Sequence, residues 1–292
     1  MSKSEPKAMK IAHIILVHNK PDQLHRLLMA IAHPDVVSFI HIDKKCRMDD
    51  FSFLTKLDNV VTVSKRIDVT WGGFSIVRAI VTSINEISRH TSTFDYVNLI
   101  SGQDYPLKSP KAILDYLYQH PGRIFMDYFL PGHRWLEDLN IKLFRYHLTD
   151  YKFKGSTRLE QYLSKILPSI SIPKDFVLVG NSGWFTLDWE SASYVLNFFK
   201  HNRSFIRKFK LSWGSDEYLI QSILYNSPLR SKIVNDNLRL INWKEGNASP
   251  SIFTFEDEAK LLNSTKLFGR KFDLHVDERI FDSLDTAIEI NK

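Results

Sequence analysis

The 292-residue sequence predicts an α/β fold in which helices flank a mostly parallel central sheet. Three observations carry that expectation. Short β-branched runs bounded by turn residues recur along the chain, with amphipathic helical patterns between them. The composition, 43% hydrophobic with only 11 Gly and 11 Pro, suits a chain with a sizeable core and no fibrous or disordered repeat. Polar residues also follow one apolar run after another, as they do where parallel strands end in a ligand crevice.

Ile11 to Val17 reads as a buried strand, and Pro21-Asp22 opens a helix with Leu24, Leu27, Leu28 and Ile31 on one face. Ser38 to Asp43 and Val60 to Val63 are the next strands. Phe74 to Ile87 is a helix whose apolar residues fall at Ile76, Ile80, Ile84 and Ile87, and Tyr96 to Ser101 is a fourth strand. This succession predicts parallel pairing with helices on both faces. The second half is less regular. A helix around Leu114 to Tyr118 and a strand near Ile124 to Tyr128 precede an aromatic and basic stretch from His133 to Lys154. Phe176 to Val179 and Trp184 to Leu187 read as strands flanking Gly180-Asn-Ser-Gly183. Helices follow through Tyr194 and from Glu217 to Leu224, then an extended stretch from Ile233 to Trp243 and a helix from Glu256 to Leu262. No linker composition divides the chain, so one domain is expected over 10–292, with a C-terminal extension, after a polar tail over 1–9.

Cys46 is the only cysteine, which excludes an intrachain disulfide framework. The apolar run after the polar start is too short for a signal anchor, so a cytoplasmic protein is expected. The net charge of +6 could serve nucleic acid, an anionic membrane or a phosphorylated ligand. Its cations are spread among 33 acidic residues without a nucleic-acid motif, which favours a phosphorylated small molecule over nucleic acid. It leaves room for peripheral association with the inner membrane surface.

Three constellations carry chemistry. The first is polar groups at successive strand ends: His18, Asp43, Thr70-Trp71-Gly72-Gly73 and Ser101-Gly-Gln-Asp104. An acid after the second strand suits a ribose or base edge, and glycines let a ligand approach the backbone; the same residues also serve as ordinary turns and caps. The second is Asp216-Glu217 at the start of a helix. One carboxylate there could take a proton from a hydroxyl, although acids in a first turn also complement the helix dipole. The third is Arg270-Lys271 between Phe268 and Phe272, two cations able to offset a diphosphate's charge or merely to cover a surface. The chain has no Asp-x-Asp pair, no Cys/His zinc spacing, no phosphate loop, no Gly-x-Gly-x-x-Gly and no nucleophile elbow, so no metal or cofactor is expected.

Together Leu16-Val-His18, Ile40-His-Ile-Asp43, Trp71-Gly-Gly-Phe-Ser75, Asn98-Leu-Ile-Ser-Gly-Gln-Asp-Tyr-Pro106, Gly180-Asn-Ser-Gly-Trp184-Phe185, Asp216-Glu217 and Arg270-Lys-Phe-Asp273 resemble the core-2/I-branching family. That family contains β-1,6-N-acetylglucosaminyltransferases and the peptide O-xylosyltransferases. The resemblance runs from about Lys10 to Asp277. It implies a GT-A-like, Rossmann-type nucleotide-sugar domain that transfers xylose or N-acetylglucosamine from a UDP-sugar to a hydroxyl, with inversion and without a metal. The acceptor would be a glycan, a glycolipid or a protein hydroxyl. Carried over, Glu217 is the base. Val17, His18, Asp43, Thr70, Trp71, Gly72, Ser249, Arg270 and Lys271 hold the donor. Asp104, Arg145, Trp184 and Trp243 lie toward the acceptor, and His147 accompanies Arg145. The N-acetylglucosaminyltransferases carry a further arginine near the position of Ser251, which this sequence lacks. The alternative of another class is a catalytically silent nucleotide-sugar or glycan-binding module of the same fold.

Overall fold

The computed structural model describes residues 9–143, 145–168, 172–244 and 249–290. The tail expected over 1–9 lies, through residue 8, outside the described residues. A seven-stranded sheet carries the fold. Its strands are β1 (Ile11–Val17), β2 (Val36–Ile42), β3 (Val60–Thr62), β4 (Tyr96–Ser101), β6 (Ile124–Phe129), β7 (Gly180–Asp188) and β8 (Ile233–Asn235), in the order β3-β2-β1-β4-β7-β6-β8. Parallel pairs join β3, β2, β1 and β4, and also β6 and β8. Only β7 runs against its neighbours. The mostly parallel α/β sheet is therefore present.

β1 is covered on both faces, and its alternation sorts the two cores. Ile11, Ile15 and Val17 join the cluster with Leu24, Leu27 and Leu28 of α1 (Pro21–Ala30). Ala12 and Ile14 join Ile80, Ile84 and Ile87 of α2 (Ser75–Ile87) and Val195 of α6 (Trp189–His201). α1 starts with Pro21 at its first turn. Ser109 caps α3 (Pro110–Tyr118) by accepting the Ala112 N–H, and Asp188 caps α6 by accepting the Ser191 N–H.

A three-stranded sheet packs on the α1 side, and sequence reading marked only its residues 239–241, within the Ile233 to Trp243 stretch, as extended. It consists of β5 (Asp104–Pro106), β10 (Phe268–Arg270) and β9 (Arg239–Ile241), in the order β5-β10-β9. Buried Arg239 ties it to the main sheet, donating to the carbonyls of Leu99 (2.8 Å) and Phe185 (3.0 Å) and to Thr186 Oγ1 (3.1 Å). The C-terminal helix α10 (Arg279–Ile290) buries Ile280, Phe281 and Leu284 in the same core, and its Asp285 accepts from Arg26 of α1.

Two expected elements are corrected. Residues 176–179 form no strand, because side chains satisfy their backbone: Asn226 bonds both polar groups of Val177, and Ser222 both those of Val179. Gly180-Asn-Ser-Gly183, expected between two strands, is itself the first part of β7. The extended stretch from Ile233 is interrupted at Leu238, which has φ of +62°.

Candidate active site

Parallel pairing brings the ends of β1, β2 and β4 to one edge. The Asp43 N–H donates to the carbonyl of Val17 (2.8 Å), and the Gly102 N–H to that of Leu16 (3.1 Å). The buried Asp43 carboxylate accepts from the Lys45 N–H (2.9 Å), Lys45 Nζ (2.9 Å) and the Val69 N–H (3.3 Å). It thereby fixes the loop that leads to Thr70. His18 lies exposed at the rim. Desolvation lowers its pKa most; Asp43 opposes that effect, while Lys271, Arg270 and Lys45 add to it. These charges define the crevice.

The Thr70 to Ser75 turn is built on close contacts. The Thr70 N–H donates to Ser75 Oγ (2.8 Å), and the Gly73 N–H to the Thr70 carbonyl (2.9 Å). A Cβ on Gly73 would lie 2.1 Å from Asp150 Oδ1. That carboxylate caps α2, accepting from the Ser75 N–H (2.9 Å) and Ser75 Oγ (2.6 Å). Gly72 has φ of +72°, and a Cβ there would lie 2.6 Å from the indole nitrogen of Trp213. Trp213 meets Trp71 edge to face at 5.4 Å and leaves Trp71 66% exposed at the crevice. Sequence reading missed Asp150 and Trp213. Their only trace was the Gly72-Gly73 pair that makes room for them.

Arg270, at the end of β10, donates to Ser101 Oγ (2.6 Å) and to both Asp104 oxygens (3.2 and 3.3 Å), and lies over the Trp184 ring at 4.4 Å. Asp104 is 1% exposed and also accepts the Ser101 N–H. Expected at the acceptor, Asp104 has its buried carboxylate committed to the guanidinium, which it orients. Trp184 likewise supports Arg270. Desolvation, then Arg270, lowers the Lys271 pKa, with Asp273 opposing and Lys20 adding. Asp273 in turn pairs with Lys20. The buried amide of Gln23 fastens both flanking loops, donating to the carbonyls of Gly102 (2.7 Å) and Phe272 (3.2 Å) and accepting the Leu274 N–H (2.8 Å). No periodicity marks Gln23, which occupies an otherwise apolar helix face.

Glu217 ends a short 3-10 turn, Ser215–Glu217, rather than opening a continuous helix. Tyr218, with φ of −144° and ψ of −26°, separates it from α8 (Leu219–Tyr225). The buried Tyr218 hydroxyl shares a hydrogen bond with Ser212 Oγ (2.7 Å), which holds that break. The turn lies against the glycine half of β7. A Cβ on Gly180 would be 2.4 Å from the Glu217 carbonyl oxygen, and one on Gly183 would be 3.3 Å from Asp216 Oδ2. Gly214, with φ of +66°, donates its N–H to the Gly72 carbonyl (2.8 Å), and a Cβ there would lie 3.8 Å from Glu217 Oε2. Glu217 is thus fixed between β7 and the Trp71-Gly72 turn. Desolvation raises the Asp216 pKa to about 6.

The other expected residues sit farther out in the bonding pattern. Trp243 is 57% exposed and Ser249 is exposed; between them, 245–248 lie outside the described residues. Their segment returns toward the cations, with the Ser251 N–H on the Asn242 carbonyl and the Phe253 N–H on that of Lys271 (both 2.8 Å). Arg145 is exposed. His147 donates its N–H to the Leu211 carbonyl (2.7 Å). Among the described residues, no group of three or more His, Cys, Asp or Glu is placed to hold a metal ion.

The chain is similar to rat Xylosyltransferase 1, with 26% identity over 97% of this chain and 36% of that protein. It is also similar to rat Xylosyltransferase 2 (23%, covering 95% and 33%) and to the Drosophila melanogaster Xylosyltransferase oxt (23%, covering 96% and 34%). It spans about a third of the length of these relatives. Among solved structures, the galactosyltransferase LgtC in complex with donor and acceptor sugar analogues aligns over 95% of this chain and 96% of that one. Its identity is 12% and its TM-score 0.46. The family model of the Core-2/I-Branching enzyme matches residues 11–264, and the chain belongs to that family.

Proposed function

We propose that the chain is an inverting, metal-independent glycosyltransferase that uses a UDP-sugar, with xylose or N-acetylglucosamine as the sugar. The observation that carries the reading is the cation pair at the strand ends: Arg270 is pinned by Asp104, Ser101 and Trp184, and Lys271 is adjacent. Two adjacent cations, one of them held in place, that share His18 as a neighbour with Asp43 suit a nucleoside diphosphate, and they would stabilise negative charge as it develops on the leaving group.

In the proposed step, the Glu217 carboxylate takes the proton of an acceptor hydroxyl as that oxygen bonds to the anomeric carbon. The bond from that carbon to the β-phosphate oxygen breaks on the opposite face, and its electron pair leaves with UDP. Attack from the face opposite the leaving group inverts the centre. The acceptor is a glycan, glycolipid or protein hydroxyl reached past Trp71 and Trp243, both exposed.

The test is UDP release from UDP-xylose and UDP-N-acetylglucosamine, and thermal stabilisation by UDP, each with and without EDTA. UDP-dependent stabilisation and turnover that survive EDTA are expected. Activity abolished by EDTA and restored by Mn²⁺ removes the metal-independent mechanism, and no response to either donor or to UDP removes the assignment.

A further inference from the structure

Helix α5 (Ser156–Ile166) sits inverted on the protein. Its apolar residues Leu159, Tyr162, Leu163 and Ile166 recur at helical spacing, so they form one stripe. An amphipathic helix ordinarily turns such a stripe to the core, yet no residue of α5 is buried. Tyr162 is 59% and Ile166 56% exposed. The polar side faces the protein instead. The Leu148 N–H donates to Glu160 Oε1 (2.6 Å), and the Tyr146 N–H to Ser164 Oγ (3.1 Å). Tyr151, Phe153 and Leu167 extend the exposed apolar surface at both ends of the helix.

The charges beside the stripe are one-sided. Residues 151–167 hold Lys152, Lys154, Arg158 and Lys165, all exposed, against the inward-turned Glu160. Arg158 and Lys165, seven residues apart, line one edge of the stripe, where their stems can reach past apolar groups while their charges stay in water. Residues 200–210 add five Lys and Arg without an acid. They continue into Leu211, whose carbonyl accepts the His147 N–H, next to Leu148, whose N–H donates to Glu160 of α5. The surplus in these two segments, +3 and +5, exceeds the +6 of the whole chain. The face is also tied to the crevice, because Asp150, next to Tyr151, caps α2 at Ser75.

We propose that α5 and its flanks form a docking face for an anionic lipid bilayer. The apolar stripe enters the interfacial region, the cations meet lipid phosphates, and the Trp71 turn is held near the membrane surface. The aromatic and aliphatic stripe edged by Lys and Arg favours this occupant over a second copy of the chain, which would bring two surfaces of the same sign together.

Vesicle co-sedimentation tests the proposal in the absence of any donor, so it stands or falls separately from the transferase reading. Phosphatidylcholine vesicles with and without phosphatidylglycerol are compared, at low and high salt, for the wild type, for Tyr162→Ser with Ile166→Ser, and for Arg158→Ser with Lys165→Ser. The expected result is binding to the phosphatidylglycerol vesicles that weakens with salt and falls roughly tenfold in either variant. These side chains are exposed, so unchanged melting temperatures accompany that loss. Absence of binding to anionic vesicles, or equal binding by the variants, overturns the proposal. So does sedimentation velocity that shows a dimer lost in the Tyr162/Ile166 variant while no form binds vesicles, which would make the stripe a contact between copies.

Discussion

Gly180 and Glu217 approach so closely that a Cβ on the glycine would lie 2.4 Å from the glutamate's carbonyl oxygen. The contact is with backbone, which cannot swing aside as a side chain can. Gly180→Ala therefore pushes the Ser215–Glu217 turn away from β7. We expect a stability loss of about 1–3 kcal/mol, the range for overpacking, and a turnover loss of up to about a hundredfold from displacing Glu217, the proposed base. Denaturant midpoints and steady-state rates measure the two effects, and a variant matching wild type in both contradicts the proposed fixing of Glu217.

Glu217 and Asp216 are adjacent but differently placed. Asp216 lies against Gly183, and Glu217 lies over Gly214 beside the Trp71-Gly72 turn. If Glu217 is the base, Glu217→Gln lowers turnover by about 10²–10⁴-fold while UDP affinity stays within a factor of about two. Asp216→Asn lowers turnover far less. The reverse ranking transfers the role to Asp216.

Asp216 also gives a pH signature. Its folded-state pKa, about 6, lies above the ordinary 3.8, so the folded protein binds this proton more tightly than the unfolded chain. The group's contribution to stability is then most favourable below pH 4 and is lost as pH rises from about 4 to about 6. Asp216→Asn removes that loss. The variant is expected to be more stable than wild type at pH 8, by at most about 3 kcal/mol, with the difference shrinking toward pH 4. Unfolding curves at the two pH values check this, and a gain confined to acid contradicts it.

The first half of the fold was legible because its signals are local. β1, α1 and β4 each carry an apolar pattern bounded by turn residues, and each formed where that pattern predicts. The second half depends on partners distant in sequence. Residues 176–179 have strand composition, but their bonds go to Ser222 and Asn226. β5 and β10 are three residues each, too short to show alternation. In the site, residue types at the strand ends and the Arg270-Lys271 pair could be read directly. The role of Asp104 could not, because a carboxylate in sequence does not reveal that a guanidinium 166 residues away already occupies it. Gln23, Asp150 and Trp213 were hidden for the same reason.

The Asp104–Arg270 pair makes the last prediction sharp. Truncating Arg270 to Ala would leave Asp104 buried without its partner, a cost of about 3–5 kcal/mol that would confuse loss of function with loss of fold. Arg270→Lys keeps a charge for Asp104 but gives up the planar fork between Ser101 and Asp104 and the stacking on Trp184. If Arg270 holds the diphosphate, this variant weakens UDP binding by roughly tenfold and lowers turnover further, because charge on the leaving group grows toward the transition state. Calorimetric titration with UDP and donor-dependent rates separate those two effects. Unchanged UDP affinity in a folded Arg270→Lys variant would mean that the guanidinium serves the Ser101–Asp104 loop alone, and the diphosphate site would then have to be sought around Lys271 and Lys45.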